Sequence, residues 1–177
     1  SIYVNPTQFG VGEDFESYPR TLDADYAAIA ADGGCDVIYA PAGIYDAAHA
    51  TNITPNGVAL PMEGESRPHF FAGVATVVFK LFNHIPADSA IFGEKDFQQL
   101  AVIRQTVRDL DINIDILAHP TIREADGLAL SSRNQYLTTA QRRLAPHIYF
   151  QMQHTSALIN NGTDISTAIY QAKDQLQ

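Results

Sequence analysis

A lysine, two carboxylates and, one helical turn further on, a carboxamide lie close together in residues 93–100 of this chain, Gly-Glu-Lys-Asp-Phe-Gln-Gln-Leu. The stretch follows a short apolar run at residues 90–92, so the pattern predicts a strand, a turn and the start of a helix. In open α/β sheets, ligands bind where the carboxyl end of a strand meets a helix N-terminus, because backbone N–H groups and the helix dipole favour anions there. Lys95 in this turn therefore indicates a phosphate-bearing ligand.

A purely structural interpretation of the same turn stays open. Asp96 and Gln99 have the spacing of a helix N-cap with a reciprocal glutamine, and Gly93 would then be an ordinary turn glycine. A cap of this kind does not need Lys95, so the lysine favours the ligand site slightly.

A second cationic position lies in residues 128–134, where Arg133 follows the hydroxyls of Ser131 and Ser132. Guanidinium, ammonium and hydroxyl groups all donate hydrogen bonds to phosphate or carboxylate oxygens. If the fold brings Lys95 and Arg133 together, they would hold a triphosphate from two sides. Such an arrangement suits phosphoryl or nucleotidyl transfer, in which catalysis is mostly positioning and charge stabilisation.

Composition and missing motifs exclude several other classes of function. A net charge of −9 with only 11 lysines and arginines argues against a nucleic-acid partner, and no apolar run is long enough to predict a membrane span. The phosphate loop Gly-x4-Gly-Lys-Ser/Thr, the dinucleotide fingerprint and the His-Glu-x-x-His zinc motif are all absent from the sequence. Cys35, the single cysteine, predicts a reducing, cytoplasmic location and is expected as a buried thiol at the edge of a strand.

The elements that must position these residues alternate between strand and helix patterns, which predicts a parallel α/β sheet with right-handed crossovers. The predicted strands are residues 1–4, 37–39, 90–92 and 114–118. The first predicted helix is residues 22–32, the second has an apolar face of Val74, Val77, Val78, Leu81 and Phe82, and the third has one of Leu100, Ile103, Val107 and Leu110. A fourth helix runs from the Thr138–Gln141 capping box to about residue 160, and a last one begins at residue 163. A boundary near residue 119 predicts two domains, 1–119 and 120–177.

Six segments in order along the chain resemble one family, the pantothenate synthetases, or pantoate–β-alanine ligases. They are residues 4–9, 18–21, 63–68, 80–83, 93–100 and 123–134. The most specific pair is Gly-Glu-Lys-Asp-Phe-Gln-Gln-Leu followed by Asp-Gly-Leu-Ala-Leu-Ser-Ser-Arg-Asn. The resemblance implies a Rossmann-like nucleotidylyltransferase fold with a parallel sheet, incomplete at the N-terminus, and a small helical C-terminal portion that begins a lid-like domain.

The family resemblance also implies an activity: ATP-dependent condensation of pantoate with β-alanine through a pantoyl adenylate, with release of AMP and pyrophosphate. The implied ATP-binding residues are Gly93, Glu94, Lys95, Asp96, Ile122, Leu130, Ser131, Ser132 and Arg133, with Lys95 and Arg133 stabilising phosphate charge. The implied substrate-binding residues are Gln8, Gln99, Asn5 and Arg67. The resemblance further implies Mg²⁺, with Asp25 as a ligand, and a homodimer.

Three departures from the family pattern accompany the resemblance. The family's histidine-bearing nucleotide loop lies upstream of the first matching strand and is not among these residues. Phe70 stands where many members have a histidine, and Ala24 and Ala28 occupy positions that resemble magnesium ligands. Two alternatives therefore stay open: a related nucleotidyltransferase acting on another small acid, and an inactive nucleotide-binding fragment.

Overall fold

The computed structural model describes residues 1–176, which form a mixed α/β structure. The helices are α1 (Leu22–Ala31), α2 (Glu63–Ser66), α3 (Phe70–His84), α4 (Phe97–Asp109), α5 (Thr139–Leu144), α6 (Pro146–Asn160) and α7 (Ile165–Gln175), and the strands are β1 (Ser89–Gly93) and β2 (Asp115–His119). The contacts divide the chain into two compact units, Ser1–Pro120 and Thr121–Gln177.

The sheet of the first unit is parallel, as the sequence predicts. Strand β1 pairs with β2 so that Ser89 lies opposite Asp115 and Gly93 lies opposite His119. Helix α4 connects the two strands, which makes a β-α-β unit. The carboxyl end of β1 is Gly93, so the Lys95 turn lies at the edge of the sheet where the sequence places it.

Two of the four predicted strands are wrong. Residues 1–4 and 37–40 belong to no strand, and a single backbone hydrogen bond, from Ile2 N to Tyr39 O at 2.9 Å, joins them. A strand needs a repeated ladder of such bonds, which apolar residues alone do not supply. Cys35, predicted as a buried strand-edge thiol, is instead exposed and contacts the carbonyl oxygen of Val37.

The core of the first unit lies between α3 and α4. Val74, Val77 and Val78 of α3 are buried, as are Leu100 and Ile103 of α4. Burying each of these side chains contributes roughly 1.5–3 kcal/mol. The predicted apolar face of α4 ends earlier than expected, because Leu110 follows the helix and is 45% exposed.

The second unit begins with a hairpin and continues as helices. Leu130 N donates to Ile122 O at 3.0 Å, and the Arg123 guanidinium lies over the Tyr149 ring at 3.6 Å. The capping box between Thr138 and Gln141 is present, as predicted.

The single helix predicted up to residue 160 is wrong, because Pro146 starts a new helix. Proline has no N–H with which to continue the hydrogen-bond ladder of α5. Between residues 1 and 176, none of the helices combines the length and the apolar character that crossing a membrane requires.

Candidate functional site

The Lys95 turn is open to solvent at the carboxyl end of β1. A short 3-10 turn, Glu94–Asp96, joins the strand to α4, and all three residues are exposed. A Cβ added to Gly93 would meet no atom within 4 Å, so the space beside residue 93 is open. The turn therefore presents an ammonium group and backbone N–H groups where a phosphate can approach.

The structural alternative for this turn is wrong. Asp96 immediately precedes α4, but its side chain accepts no hydrogen bond from the helix backbone and instead accepts one from Lys95 Nζ at 3.3 Å. The side chain of Gln99 is half-buried and makes no hydrogen bond within residues 1–176. Because the Lys95–Asp96 ion pair is exposed and such pairs contribute only about 0–1 kcal/mol, a ligand phosphate can replace the carboxylate at little cost.

The loop of Asn5 and Gln8 is held by hydrogen bonds of a buried amide. Asn5 is 5% exposed, and its Oδ1 accepts from Thr7 Oγ1 at 3.0 Å. Its Nδ2 donates to Gln8 Oε1 at 2.9 Å and to Gly73 O at 3.2 Å. This fixes the oxygen of the Gln8 amide and leaves its NH2 group without a protein partner in the described residues.

A glycine lets α3 approach this loop closely. A Cβ added to Gly73 would lie 2.6 Å from Thr7 O, a distance that real Cβ atoms do not reach. The helix and the Asn5 loop can pack at this separation only because residue 73 has no side chain.

Arg67 joins three segments of the first unit. Its Nε donates to Glu13 Oε1 at 2.8 Å, its Nη1 to Glu63 Oε1 at 2.8 Å and its Nη2 to Gln8 O at 2.6 Å. The same Nη2 forms a second contact with Glu13, and the guanidinium lies over the Phe70 ring at 4.3 Å. Since a guanidinium has five N–H donors, these bonds leave about one for a ligand.

The contact between Arg67 and Glu13 changes the acidity of the Glu13 carboxyl group. The hydrogen bond from Arg67 holds the pKa of Glu13 below its ordinary value of 4.5. Glu13 therefore stays ionised, which keeps the segment around residue 13 attached to Arg67.

Gln98 is a polar residue of this site that sequence reasoning passed over. Its Nε2 donates to Val58 O at 3.0 Å and Pro61 O at 2.7 Å, and its Oε1 accepts from Glu63 N at 3.2 Å. The signal in the sequence is the Gln-Gln pair after the turn, of which the family resemblance implies a role only for the second glutamine.

The predicted residues of the second unit lie together in their own hairpin and turn. Ile122 and Leu130 are opposite each other and are 54% and 49% exposed. Ser131 caps the 3-10 helix Ser132–Tyr136, because its side chain accepts from Arg133 N at 3.3 Å. The Asn134 amide fixes the preceding turn by donating to Ala129 O at 2.9 Å.

The expected metal ligand, Asp25, is not part of a cluster of metal-binding side chains in the described residues. Its carboxylate accepts a hydrogen bond from Thr21 Oγ1 at 3.3 Å, and residues 1–176 contain no group of three histidine, cysteine or acidic side chains placed to hold a metal ion. The described residues therefore do not fit a magnesium site built by the protein alone, since Mg²⁺ requires about six oxygen ligands in octahedral geometry.

A pocket of about 500 Å³ lies elsewhere in the first unit. Ile53, Phe79, Lys80 and Leu110 are among its lining residues, and none of the predicted site residues is. The Lys95 turn and the Asn5 loop are thus separate from this cavity.

Comparison with known proteins decides the family. The model of the family described as pantoate-beta-alanine ligase matches residues 1–177. The chain belongs to the pantoate–β-alanine ligase family. It is 48% identical to the pantothenate synthetase of Acinetobacter baumannii over 99% of this chain, and 46% identical to that of Rhodospirillum rubrum over 100%.

Solved structures of the family share the fold. The pantothenate synthetase of Thermus thermophilus superimposes with a TM-score of 0.94 at 41% identity, covering 99% of this chain and 64% of that one. The pantoate–β-alanine ligase of Francisella tularensis, complexed with beta-gamma ATP and β-alanine, gives a TM-score of 0.78 at 40% identity over 84% of this chain and 57% of that one. The chain spans 63% of the length of the two curated relatives.

Proposed function

We propose that the complete protein condenses pantoate with β-alanine at the expense of ATP. The observation that carries this proposal is the exposed Lys95 turn at the carboxyl end of β1, within a chain whose family model matches residues 1–177. A relative from Francisella tularensis was crystallised with beta-gamma ATP and β-alanine, which supports the same ligands here.

The proposed reaction has two steps. In the first, a carboxylate oxygen of pantoate attacks the α-phosphorus of ATP; a P–O bond forms, and pyrophosphate leaves with the electron pair of the bond that breaks. In the second, the amine of β-alanine attacks the acyl carbon of the pantoyl adenylate; an amide forms, AMP leaves, and the nitrogen gives up a proton.

Lys95 and Arg133 would stabilise the charge that builds up on the phosphates during adenylation. Donors already in position strengthen as charge develops in the transition state, and they need no reorganisation at that moment. Gly93, Glu94 and Asp96 would shape the turn around the nucleotide phosphates, and the ATP-binding role extends to Ile122, Leu130, Ser131 and Ser132.

Gln8 and Gln99 are proposed to bind pantoate directly. The NH2 group of Gln8 and the whole amide of Gln99 have no hydrogen-bond partner in the part of the chain that the structure describes, and amide NH2 groups donate well to carboxylate and hydroxyl oxygens. Asn5 and Arg67 act on the same substrate mainly by fixing Gln8, because most of their own polar atoms are already used.

Magnesium would come with the nucleotide. Because Asp25 is a lone carboxylate, the phosphates of ATP and water molecules would supply most of the ligands, which is how Mg²⁺ usually binds in phosphate-transfer sites. No step above depends on a protein-bound metal ion.

Pyrophosphate exchange tests this proposal. The complete protein should transfer label from pyrophosphate into ATP when pantoate is present, and omission of pantoate should stop the exchange. Exchange without pantoate, or exchange with other small hydroxy acids but not with pantoate, would contradict the proposal. The second result would instead favour a related nucleotidyltransferase.

A further inference from the structure

Gln98 holds a strained point of the backbone. Met62 has φ 54° and ψ −110°, a conformation that residues with a side chain seldom adopt. The side chain of Gln98 bonds to both neighbours of Met62: Nε2 donates to Pro61 O at 2.7 Å, and Oε1 accepts from Glu63 N at 3.2 Å. Strain of this kind persists only where the surrounding structure fixes it.

Further hydrogen bonds connect Glu63 to the loop of Gln8. Glu63, whose N–H is held by Gln98, accepts from Arg67 Nη1 at 2.8 Å through its Oε1. Arg67 Nη2 in turn donates to Gln8 O at 2.6 Å. A continuous series of hydrogen bonds and one ion pair thus runs from the first turn of α4 to Gln8.

This series begins at the residue before Gln99 and ends at the backbone carbonyl oxygen of Gln8, so each end adjoins one of the two proposed pantoate-binding amides. Gln99 follows Gln98 in α4, and Gln8 lies at the other end. Glu63 and Arg67 form an ion pair that is only partly exposed, so their bond is screened less than a surface pair. The Gln98 contacts with residues 58, 61 and 63 join α4 to the segment that leads to Arg67.

We propose that Gln98 is a positioning residue for pantoate: it clamps the Met62 turn and thereby fixes Gln8 relative to Gln99. The inference rests on the proposed function, and it adds a residue that contacts no substrate. A displacement of about 1 Å in a binding group is enough to reduce activity by roughly 100-fold, so loss of the clamp has a measurable effect.

Kinetics of the Gln98→Met variant in the complete protein tests the proposal. Methionine has a similar shape but removes both the donor and the acceptor, so the KM for pantoate should rise about tenfold or more while the KM for ATP changes less than twofold. Gln105→Met in the same helix, where the half-buried Gln105 donates to Asp109, is the matched control and should change neither value.

A second substitution separates positioning from general damage. Glycine adopts positive φ without strain, so Met62→Gly in the Gln98→Met background should lower the KM for pantoate again. If the double variant shows no recovery, or if Gln98→Met folds normally and keeps its KM for pantoate, the proposal is overturned. Equal loss of pantoate and ATP binding would also overturn it, because that result indicates a purely structural role.

Amide hydrogen exchange at Glu63 tests the clamp without any substrate. Gln98→Met removes the acceptor of the Glu63 N–H, so this amide should exchange faster, and unchanged exchange would refute the clamp. If the wild-type protein shows no pantoate-dependent exchange of pyrophosphate, the proposed function and the role in pantoate binding fail together. In that case Glu63 exchange still decides whether the clamp exists.

Discussion

The polar side chains around the proposed site fall into two groups, those already bonded within the protein and those left for a ligand. The Asn5 amide is buried and fully engaged, and Arg67 holds Glu13, Glu63 and the Gln8 carbonyl oxygen. Lys95, by contrast, has only an exposed contact with its sequence neighbour Asp96. The side chains of the first group position their neighbours, and those of the second group are suited to bind a ligand.

Residue types alone indicated Lys95, because an ammonium group after a strand has few structural uses. They could not separate Asn5 and Arg67 from Gln8 and Gln99, since all four have polar groups that bind substrates equally well. The difference lies in contacts between residues distant in sequence, such as that of Arg67 with Gln8. No local pattern encodes such a contact.

Removal of the Lys95 ammonium should affect adenylation most. In the complete protein, Lys95→Ala should reduce the rate of pantoate-dependent pyrophosphate exchange by roughly 100- to 1,000-fold, the usual cost of losing one donor to a developing charge. Lys173→Ala in α7 serves as the control and should leave the rate unchanged. A Lys95→Ala rate within a few-fold of wild type would remove the role assigned to this residue.

The ion pair of Glu13 and Arg67 should make stability depend on pH. The pKa of Glu13 is lowered in the folded state, so its contribution to stability is present above the ordinary value of 4.5 and is lost as the pH falls through the lowered pKa. Glu13→Gln should therefore lower the free energy of unfolding at pH 7, and its difference from wild type should shrink as the pH falls from 4.5 through the lowered pKa.

Urea unfolding at several pH values measures this difference. The effect should be modest, because the side chains of Glu13 and Arg67 are 31% and 24% exposed and solvent screens the pair. Glu16→Gln, an exposed neighbour, is the control. A Glu13→Gln difference that does not shrink at any pH below 4.5 at which both proteins still fold would contradict the assignment.

At the scale of elements, signals confined to neighbouring residues predicted caps and apolar helix faces, whereas the apolar pattern of a strand did not show whether a partner strand is present. The Thr138–Gln141 capping box, the apolar face of α3 and the strand before Lys95 all depend on residues close in sequence, and each is present. The strands predicted at residues 1–4 and 37–39 depend on a partner strand, and the apolar pattern does not show whether one is there.

Because α3 approaches the Asn5 loop closely, the stability of the protein should be sensitive to a side chain added at residue 73. Gly73→Ala would place a Cβ 2.6 Å from Thr7 O, so backbone must shift, and the free energy of unfolding should fall by about 1–3 kcal/mol. Gly43→Ala is the matched control, because a Cβ there meets no atom within 4 Å. Equal stability of the two variants in urea unfolding would show that the loop and helix are not packed this closely.

The cap of α5 gives a second test at this scale. Thr138→Ala removes the hydroxyl that accepts from Gln141 N, so the free energy of unfolding should fall by about 1 kcal/mol. Thr139→Ala, one residue into the helix, should cost much less. Urea unfolding compares the two variants. If both unfold at the same urea concentration, the capping box does not stabilise the protein.

At the scale of the whole molecule, membership of the pantoate–β-alanine ligase family combines the separate observations. The family match covers residues 1–177 and so includes both the Lys95 turn and the Ser131–Arg133 turn, neither of which identifies the family by its own chemistry. The chain spans 63% of the length of its curated relatives, so the activity is proposed for the complete protein.

The formation of pantothenate is the most direct measurement of this account. The complete protein is incubated with ATP, pantoate and β-alanine, and the products are followed by mass spectrometry. We expect pantothenate and AMP in equal amounts, with neither formed when pantoate is omitted. Formation of ADP in place of AMP, or the absence of pantothenate while all three substrates are present, would contradict the central claim.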